Sequence, residues 1–325
     1  MEPFFKPPFG LRNPHVQTIF SSIGPRRTKV KKAFHKFHKQ QQEVTLNCHD
    51  GIRLGGFLNQ ATATKSKQLA ILIHGWEGSA ESSYILSTTT QLLDQGIDVF
   101  RLNLRDHGGT HHLNRGIFNS TLIDEVISGL EDLQQRYSYP SYSLIGYSLG
   151  GNFSLRVAAN AQNNNVHLDR VIVFCPVIHA YTSNVALNRA HNYLYGQYFV
   201  RKWKRSLYNK LTAFPDYDYD ASLAGMKTLD QMNEELIPKY TRFKDVNDYF
   251  DAYAVTGDRL VNTICPCYLH FAKDDMIIPH DDIKKLADNP KLDITVTEWG
   301  GHCGFLMNWK LESWQDKRVV ELLTT

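Results

Sequence analysis

The pentapeptide Gly146–Gly150, with the sequence G-Y-S-L-G, constrains the fold of this chain more than any other feature. It follows the apolar run Tyr142–Ile145 and precedes a helix-like segment that begins at Asn152. A G-x-S-x-G sequence between a buried strand and a helix is typical of a sharp turn that strains the serine backbone and exposes its hydroxyl. Ser148 is therefore the candidate nucleophile, with a plain tight turn as the alternative.

From residue 43 onwards, short apolar runs alternate with helical patterns, which predicts a mostly parallel β-sheet flanked by helices. The predicted strands are Glu43–Cys48, Arg53–Leu58, Leu69–Ile73, Val99–Asn103, Leu144–Tyr147, Arg170–Cys175, Cys267–Ala272 and Leu292–Glu298. Ser148 comes directly after the fifth of them. A chain of 325 residues can bury one large core, so a single domain with an insertion is favoured over two independent domains.

The stretch between Pro176 and Cys265 interrupts this alternation and is too long to be a bare loop in a compact domain. It is rich in tyrosine, phenylalanine and tryptophan, and it contains the basic run Arg201–Lys210. We expect a helical cap over about residues 178–262, inserted after the sixth strand, with aromatic side chains on its inner face and charges outside. Ordinary helices on the flank of the sheet would explain half of this stretch equally well.

A nucleophilic serine needs a base within hydrogen-bond reach and an acid that orients the base. His302 is the candidate base, because the glycine-bracketed loop Trp299–Phe305 follows the last strand. The acid should follow the seventh strand, where Asp274 and Asp275 are adjacent. The apolar residues that follow and Pro279 favour Asp275 as the acid and Asp274 as a turn cap, but the choice between them stays open. In the fold with a strand-to-helix nucleophile turn, the three catalytic residues follow one another along the chain in the order Ser, Asp, His, as they do here.

An oxyanion hole needs two preorganised N–H donors aimed at the developing charge. The backbone N–H of Leu149 is one candidate, because it begins the helix after Ser148 and benefits from the helix dipole. The second candidate is the backbone N–H of Trp76, in the glycine-containing loop His74–Ser79 after the third strand.

The cysteine pattern argues against a disulfide framework and a metal centre. Five cysteines are few and odd in number, which indicates reduced, packed thiols. The pair Cys265 and Cys267 lacks a second Cys/His pair at zinc-like spacing, so we expect neither a metal nor another cofactor.

No apolar run reaches the length of a membrane span, and the first residues lack the features of a signal peptide. A cytoplasmic location is the expectation.

Residues 1–42 form a basic arm, with nine Lys and Arg residues against Glu2 alone, although the whole chain has a net charge of only +3. We expect the arm to lie on the mildly acidic body. A weak peripheral contact with anionic membranes through the arm is the alternative. Nothing in the sequence resembles a nucleic-acid-binding module, and the oligomeric state is not predicted.

With these residues placed, the chain resembles the α/β-hydrolase superfamily over residues 43–325, and more narrowly its YheT-like branch. The narrower resemblance rests on Phe5–Thr18, which contains L-R-N-P-H-V-Q-T, and on the cap segment Tyr240–Phe250. It implies an α/β-hydrolase fold, an arm that packs on the hydrolase body, and a Ser-His-Asp esterase. The implied roles fall on three residues of this sequence: Ser148, Asp275 and His302.

The expected function is hydrolysis of a small-molecule carboxylic ester through an acyl-enzyme intermediate. Acyl transfer to an alcohol, or thioester hydrolysis, would use the same three residues. A binding protein on a non-catalytic hydrolase scaffold is the hypothesis from another class. A candidate for every catalytic role argues against it, because drift in a dead scaffold would be free to erase any of them.

Overall fold

The computed structural model describes residues 5–61 and 66–325, so residues 1–4 of the predicted arm and 62–65 of the predicted body lie outside the described residues. Its eight strands are β1 Gln42–Asn47, β2 Arg53–Asn59, β3 Gln68–Ile73, β4 Asp98–Leu102, β5 Ser141–Tyr147, β6 Arg170–Phe174, β7 Cys267–Ala272 and β8 Leu292–Thr297. They form one sheet in the order β1-β2-β4-β3-β5-β6-β7-β8. The pairs β1–β2 and β2–β4 are antiparallel, and the other pairs are parallel.

The eight-stranded, mostly parallel sheet confirms the predicted fold class. Strand bounds differ most at β5, which begins at Ser141 instead of Leu144. Tyr142 and Ser143 are buried inside the sheet in spite of their hydroxyl groups. The predicted start at Leu144 is therefore three residues too late.

Helices cover both faces of the sheet. Outside the cap they are α1 Pro14–Ser22, α2 Pro25–His38, α3 Ser83–Asp94, α4 Ile123–Arg136, α5 Leu149–Asn160 and α11 Trp314–Thr324. Leu69, Ile71 and Ile73 join the core on the side of α4 and α5, whereas Ala70 and Leu72 join the core on the side of α2, α3 and α11. Successive strand residues point to opposite faces, so a strand that is apolar throughout is buried on both.

The described part of the arm forms α1 and α2, which pack on the body. Asn13 caps α1, because its side chain accepts hydrogen bonds from His15 N and Val16 N, and Pro14 occupies the first helical turn. On α2, the Arg26 guanidinium is buried and lies 3.4 Å from the Asp316 carboxylate of α11. None of the helices in residues 5–61 and 66–325 has the length and apolarity required to cross a bilayer.

The cap lies between β6 and β7, after strand six as predicted. Its helices are α6 Ala180–Leu187, α7 Tyr193–Ala213, α8 Asp220–Leu223, α9 Leu229–Tyr240 and α10 Val246–Ala252. On the long helix α7, Phe199 and Trp203 face inward and pack on Trp76 at ring distances of 5.1 and 5.4 Å.

The expected division into an aromatic inside and a charged outside is wrong for part of α7. Tyr193 and Tyr208 are 63% and 41% exposed. Lys210, by contrast, is 1% exposed and pairs with the buried Asp106 at 2.7 Å. Residue type alone misassigns Lys210, because the carboxylate with which it pairs belongs to a loop of the body that is distant in the sequence.

Candidate active site

Ser148 lies at the sharp turn between β5 and α5. Its backbone has φ 55° and ψ −119°, a strained conformation for a residue with a Cβ. A Cβ at Gly150 would lie 2.3 Å from the Ile73 carbonyl oxygen, and one at Gly146 would lie 2.4 Å from the Gly150 carbonyl oxygen. Glycine is therefore required on both sides of the turn. Ser148 itself stays partly exposed at the carboxyl edge of the sheet.

The loops after β7 and β8 bring an aspartate and a histidine to this serine. His302 Nε2 lies 2.9 Å from Ser148 Oγ, and His302 Nδ1 lies 2.9 Å from Asp275 Oδ2. The other oxygen of Asp275 accepts hydrogen bonds from Ile277 N at 2.8 Å and Ile278 N at 2.9 Å. These amides fix the carboxylate. With Nδ1 donating to Asp275, Nε2 can accept the proton of the Ser148 hydroxyl.

The two adjacent aspartates have different partners. Asp275 is the one that reaches the imidazole of His302. Asp274 Oδ1 instead accepts a hydrogen bond from Gly301 N at 2.8 Å, next to His302 in the chain. Asp274 therefore ties the loop after β7 to the loop that contains His302.

The surroundings of His302 favour its protonated form. Burial lowers the pKa of the imidazole, but the negative charge and hydrogen bond of Asp275, together with Cys303, more than offset this and raise the pKa to about 9. The aspartate side chain is only 2% exposed, so little water screens the interaction. The site thus stabilises the imidazolium that forms when His302 takes a proton.

The basic arm holds the histidine loop, a role that sequence reasoning missed. Thr18 Oγ1 accepts a hydrogen bond from His302 N at 2.9 Å. The fully buried Gln17 accepts from Leu306 N at 2.6 Å and donates to Leu306 O at 3.1 Å. A Cβ at Gly301, where φ is 53°, would lie 2.6 Å from the Pro14 carbonyl oxygen. The L-R-N-P-H-V-Q-T segment therefore builds a helix that packs on this loop, and its Asn-Pro start could have predicted the helix.

The arm also contacts the cap. His15 Nδ1 lies 2.9 Å from the Tyr195 hydroxyl of α7, and the two rings stack at 5.6 Å. Helix α1 thus touches both the His302 loop and the long cap helix.

Both predicted oxyanion donors lie beside Ser148. Leu149 is the first residue of α5, and Trp76 follows β3, which is paired with β5. A Cβ at Gly75 would lie 3.1 Å from the Ser148 Cβ, so the Trp76 loop passes directly over the serine. Across the described residues, the hydrogen bonds leave the N–H groups of Trp76 and Leu149 without a protein acceptor. Both residues line the same cavity as Ser148.

His107 stiffens the loop that contains Trp76. Burial holds the pKa of His107 well below its usual value, so the ring is neutral. Its Nε2 accepts a hydrogen bond from Glu77 N at 3.1 Å, and its Nδ1 lies 2.7 Å from the Arg105 carbonyl oxygen. Glu77 has φ 55°, a conformation that needs such support. Sequence reasoning gave no role to His107, which lies in a polar loop after β4.

Two thiols pack around the candidate base. The ligand atoms of Cys175, His302 and Cys303 lie within 4.8 Å of one another, which is the spacing of possible metal ligands. Both ring nitrogens of His302, however, are already engaged by Ser148 and Asp275. A metal bound here would take the imidazole from the serine.

A cavity of about 840 Å³ lies above Ser148, between the body, the arm and the cap. Apolar side chains from the cap and body form much of its wall, among them Leu187, Leu229, Ile237, Phe250 and Ile277. The arrangement can hold an apolar chain next to the Ser148 hydroxyl and the backbone N–H groups of Trp76 and Leu149.

Comparisons with known proteins identify the family of the chain. The sequence matches the family described as serine aminopeptidase, S33, over residues 64–299. It is 25% identical to YheT of Escherichia coli (strain K12), described as a candidate esterase, over 99% of this chain and 93% of that protein. It is 23% identical to an abhydrolase domain-containing protein of Dictyostelium discoideum, over 99% of this chain and 81% of that protein.

The fold is also similar to solved structures. The Pyrococcus furiosus esterase Pf2001 superposes with a TM-score of 0.57 at 16% identity, covering 90% of this chain and 94% of that one. At this identity the likeness concerns the fold alone.

Proposed function

The chain belongs to the serine aminopeptidase S33 family of the α/β-hydrolase superfamily, in its YheT-like branch, and we propose that it hydrolyses carboxylic esters through Ser148, His302 and Asp275. Membership makes it a hydrolase of an esterase-like family. The observation that carries the finer proposal is the hydrogen-bonded chain from Ser148 Oγ through His302 to Asp275, with 2.9 Å at each step.

In the proposed reaction, Ser148 Oγ attacks the ester carbonyl carbon while His302 Nε2 takes its proton. Asp275 keeps the imidazole in the correct tautomer and stabilises the imidazolium. The N–H groups of Trp76 and Leu149 bind the developing oxyanion, and losing one such donor costs about 10²- to 10³-fold in rate. The alcohol leaves with the proton from His302, which then activates the water that hydrolyses the acyl-enzyme.

Separate asparagine substitutions of the two aspartates test the proposal with p-nitrophenyl esters of graded chain length. Asp275→Asn should lower kcat by about 10⁴-fold, because the amide favours the wrong tautomer of His302. Asp274→Asn is the matched control and should lose far less, because its amide oxygen can still accept from Gly301 N. Equal losses in both variants would contradict the assigned roles.

Matched p-nitroanilides separate ester from peptide-bond chemistry, since the family description refers to a peptidase. Efficient turnover of the esters with little turnover of the anilides is the expected result. Faster cleavage of the anilides would replace the esterase proposal with an amidase.

A further inference from the structure

Five cations line the cavity above Ser148. Helix α2 of the arm contributes Arg27 and Lys31, and helix α7 of the cap contributes Arg201, Lys202 and Arg205. We call these five residues the basic rim. All are exposed except Lys202, which is half-buried, so they mark where the cavity opens to solvent.

The basic rim has no carboxylate partners within the described residues. Neighbouring cations of the same two helices do have them, since Lys36 pairs with Asp94 at 2.6 Å and Lys210 pairs with Asp106 at 2.7 Å. Among residues 5–61 and 66–325, no ion pair of this kind involves a rim residue.

The spacing of the rim residues places like charges together. Arg27 and Lys31 are four residues apart on α2, and Arg201 and Arg205 are four residues apart on α7. Like charges at this spacing lie on one helix face and destabilise the helix. A bound anion would relieve this repulsion.

The acidic residues of the cavity do not neutralise the rim. Glu81 is paired with Arg101, and Asp106 is paired with Lys210. Burial raises the pKa of Glu77 to about 7, even though the positive charge of Lys202 lowers it, so this carboxyl group is only partly ionised near neutral pH. The cavity mouth therefore presents a positive potential, while much of the cavity wall is apolar.

We propose that the basic rim is an anion subsite, so that the preferred ester has an apolar part near Ser148 and a carboxylate or phosphate at the end away from the scissile carbonyl. The inference rests on the proposed esterase function and deepens it by naming the substrate class. The rim attracts the anionic end and orients the ester in the cavity.

Two esters with eight-carbon acyl groups test the subsite, each used below its solubility limit: p-nitrophenyl octanoate, which is neutral, and mono-p-nitrophenyl suberate, which ends in a carboxylate. The measured quantity is the ratio of kcat/KM for suberate to kcat/KM for octanoate. The wild type should prefer the suberate ester, and added KCl should reduce the preference. An exposed ion pair contributes up to about fivefold to a binding constant. Reversing Arg201 and Arg205 together to glutamate removes two such pairs and adds repulsion, so it should lower the ratio by about tenfold or more.

A neighbouring pair on the arm gives the matched control. Lys31→Glu should lower the ratio, whereas Lys32→Glu, an exposed residue outside the cavity lining, should leave it unchanged apart from a small long-range effect. Activity on the neutral ester reports folding and the triad in every variant.

Different failures have different meanings. If neither ester is hydrolysed, the esterase function itself fails. If octanoate is hydrolysed but the ratio is near one or does not respond to charge reversal, the subsite is refuted. Loss of binding to vesicles of anionic phospholipid in the same variants, with no change in the ratio, would place the rim at a membrane surface and also overturn the inference.

Discussion

Substitution of Gln17 by leucine should damage both the stability of the protein and its candidate active site. Gln17 is completely buried, and its side chain makes three hydrogen bonds to backbone groups. Two involve Leu306, in the loop that contains His302, and the third runs to the carbonyl oxygen of Leu11 at 2.6 Å. Leucine has a similar volume but provides none of these bonds.

The magnitude follows from the groups left unpaired. A buried backbone N–H without an acceptor costs about 1–3 kcal/mol, and the Leu306 N–H would become one. The carbonyl oxygens of Leu306 and Leu11 would each lose a partner, at about 0.5–1 kcal/mol apiece. The free energy of unfolding should fall by about 2–5 kcal/mol, which most domains of ordinary stability survive.

The loss of activity comes from the position of His302. The histidine must stay within hydrogen-bond reach of Ser148, and a displacement of about 1 Å can cost about 10²-fold in rate. Urea unfolding and kcat for p-nitrophenyl esters measure the two effects. Gln40→Leu, at an exposed site near the end of the arm, is the control for the chemical change. Equal urea midpoints and equal kcat values for Gln17→Leu and Gln40→Leu would contradict a role of Gln17 in holding the His302 loop.

Two further predictions concern pH and the docking of the arm. Because the base must be neutral and the pKa of His302 is raised to about 9, kcat/KM should increase with pH and level off above about 9; Asp275→Asn should move this rise to lower pH. A wild-type profile already flat at neutral pH would contradict the assignment. Arg26→Met should lower the free energy of unfolding by about 3–5 kcal/mol, because it leaves the buried Asp316 carboxylate without its cation. Lys36→Met breaks an exposed ion pair and should lower the free energy of unfolding by less than about 1 kcal/mol. Equal urea midpoints for Arg26→Met and Lys36→Met would contradict a buried contact between the arm and α11.

The local sequence carries most of the information about the sheet and the nucleophile turn. Apolar runs of strand length, separated by helical patterns, predict the strands, most directly in the centre of the sheet, where β3 to β7 are buried on both faces. The glycines on both sides of Ser148 are required because backbone atoms of the same turn and of the neighbouring strand β3 leave no room for a Cβ. Such features depend on steric contacts over short distances, so the pattern of residue types is enough to predict them.

The role of the arm could not be predicted in this way. Thr18 and Gln17 contact His302 and Leu306 across 284 and 289 residues of chain. A run rich in lysine and arginine predicts a solvated surface, and only the tertiary structure places its polar residues against the histidine loop. Lys210 is a second case, since its partner Asp106 is 104 residues away.

The choice between the two aspartates needed geometry as well. Both follow β7, and both have turn-forming neighbours in the sequence. The amides of Ile277 and Ile278 turn the Asp275 carboxylate towards His302, whereas Asp274 faces Gly301. Side-chain direction in a tight turn depends on backbone torsions that residue type does not fix.

The most direct test of the account is whether Ser148 is an activated nucleophile. Intact-protein mass should be measured after exposure of the wild type and Ser148→Ala to a fluorophosphonate. A single covalent adduct on the wild type, absent from Ser148→Ala, is the predicted result. No adduct on folded wild-type protein, or an adduct that persists in Ser148→Ala, would contradict the proposed catalytic triad.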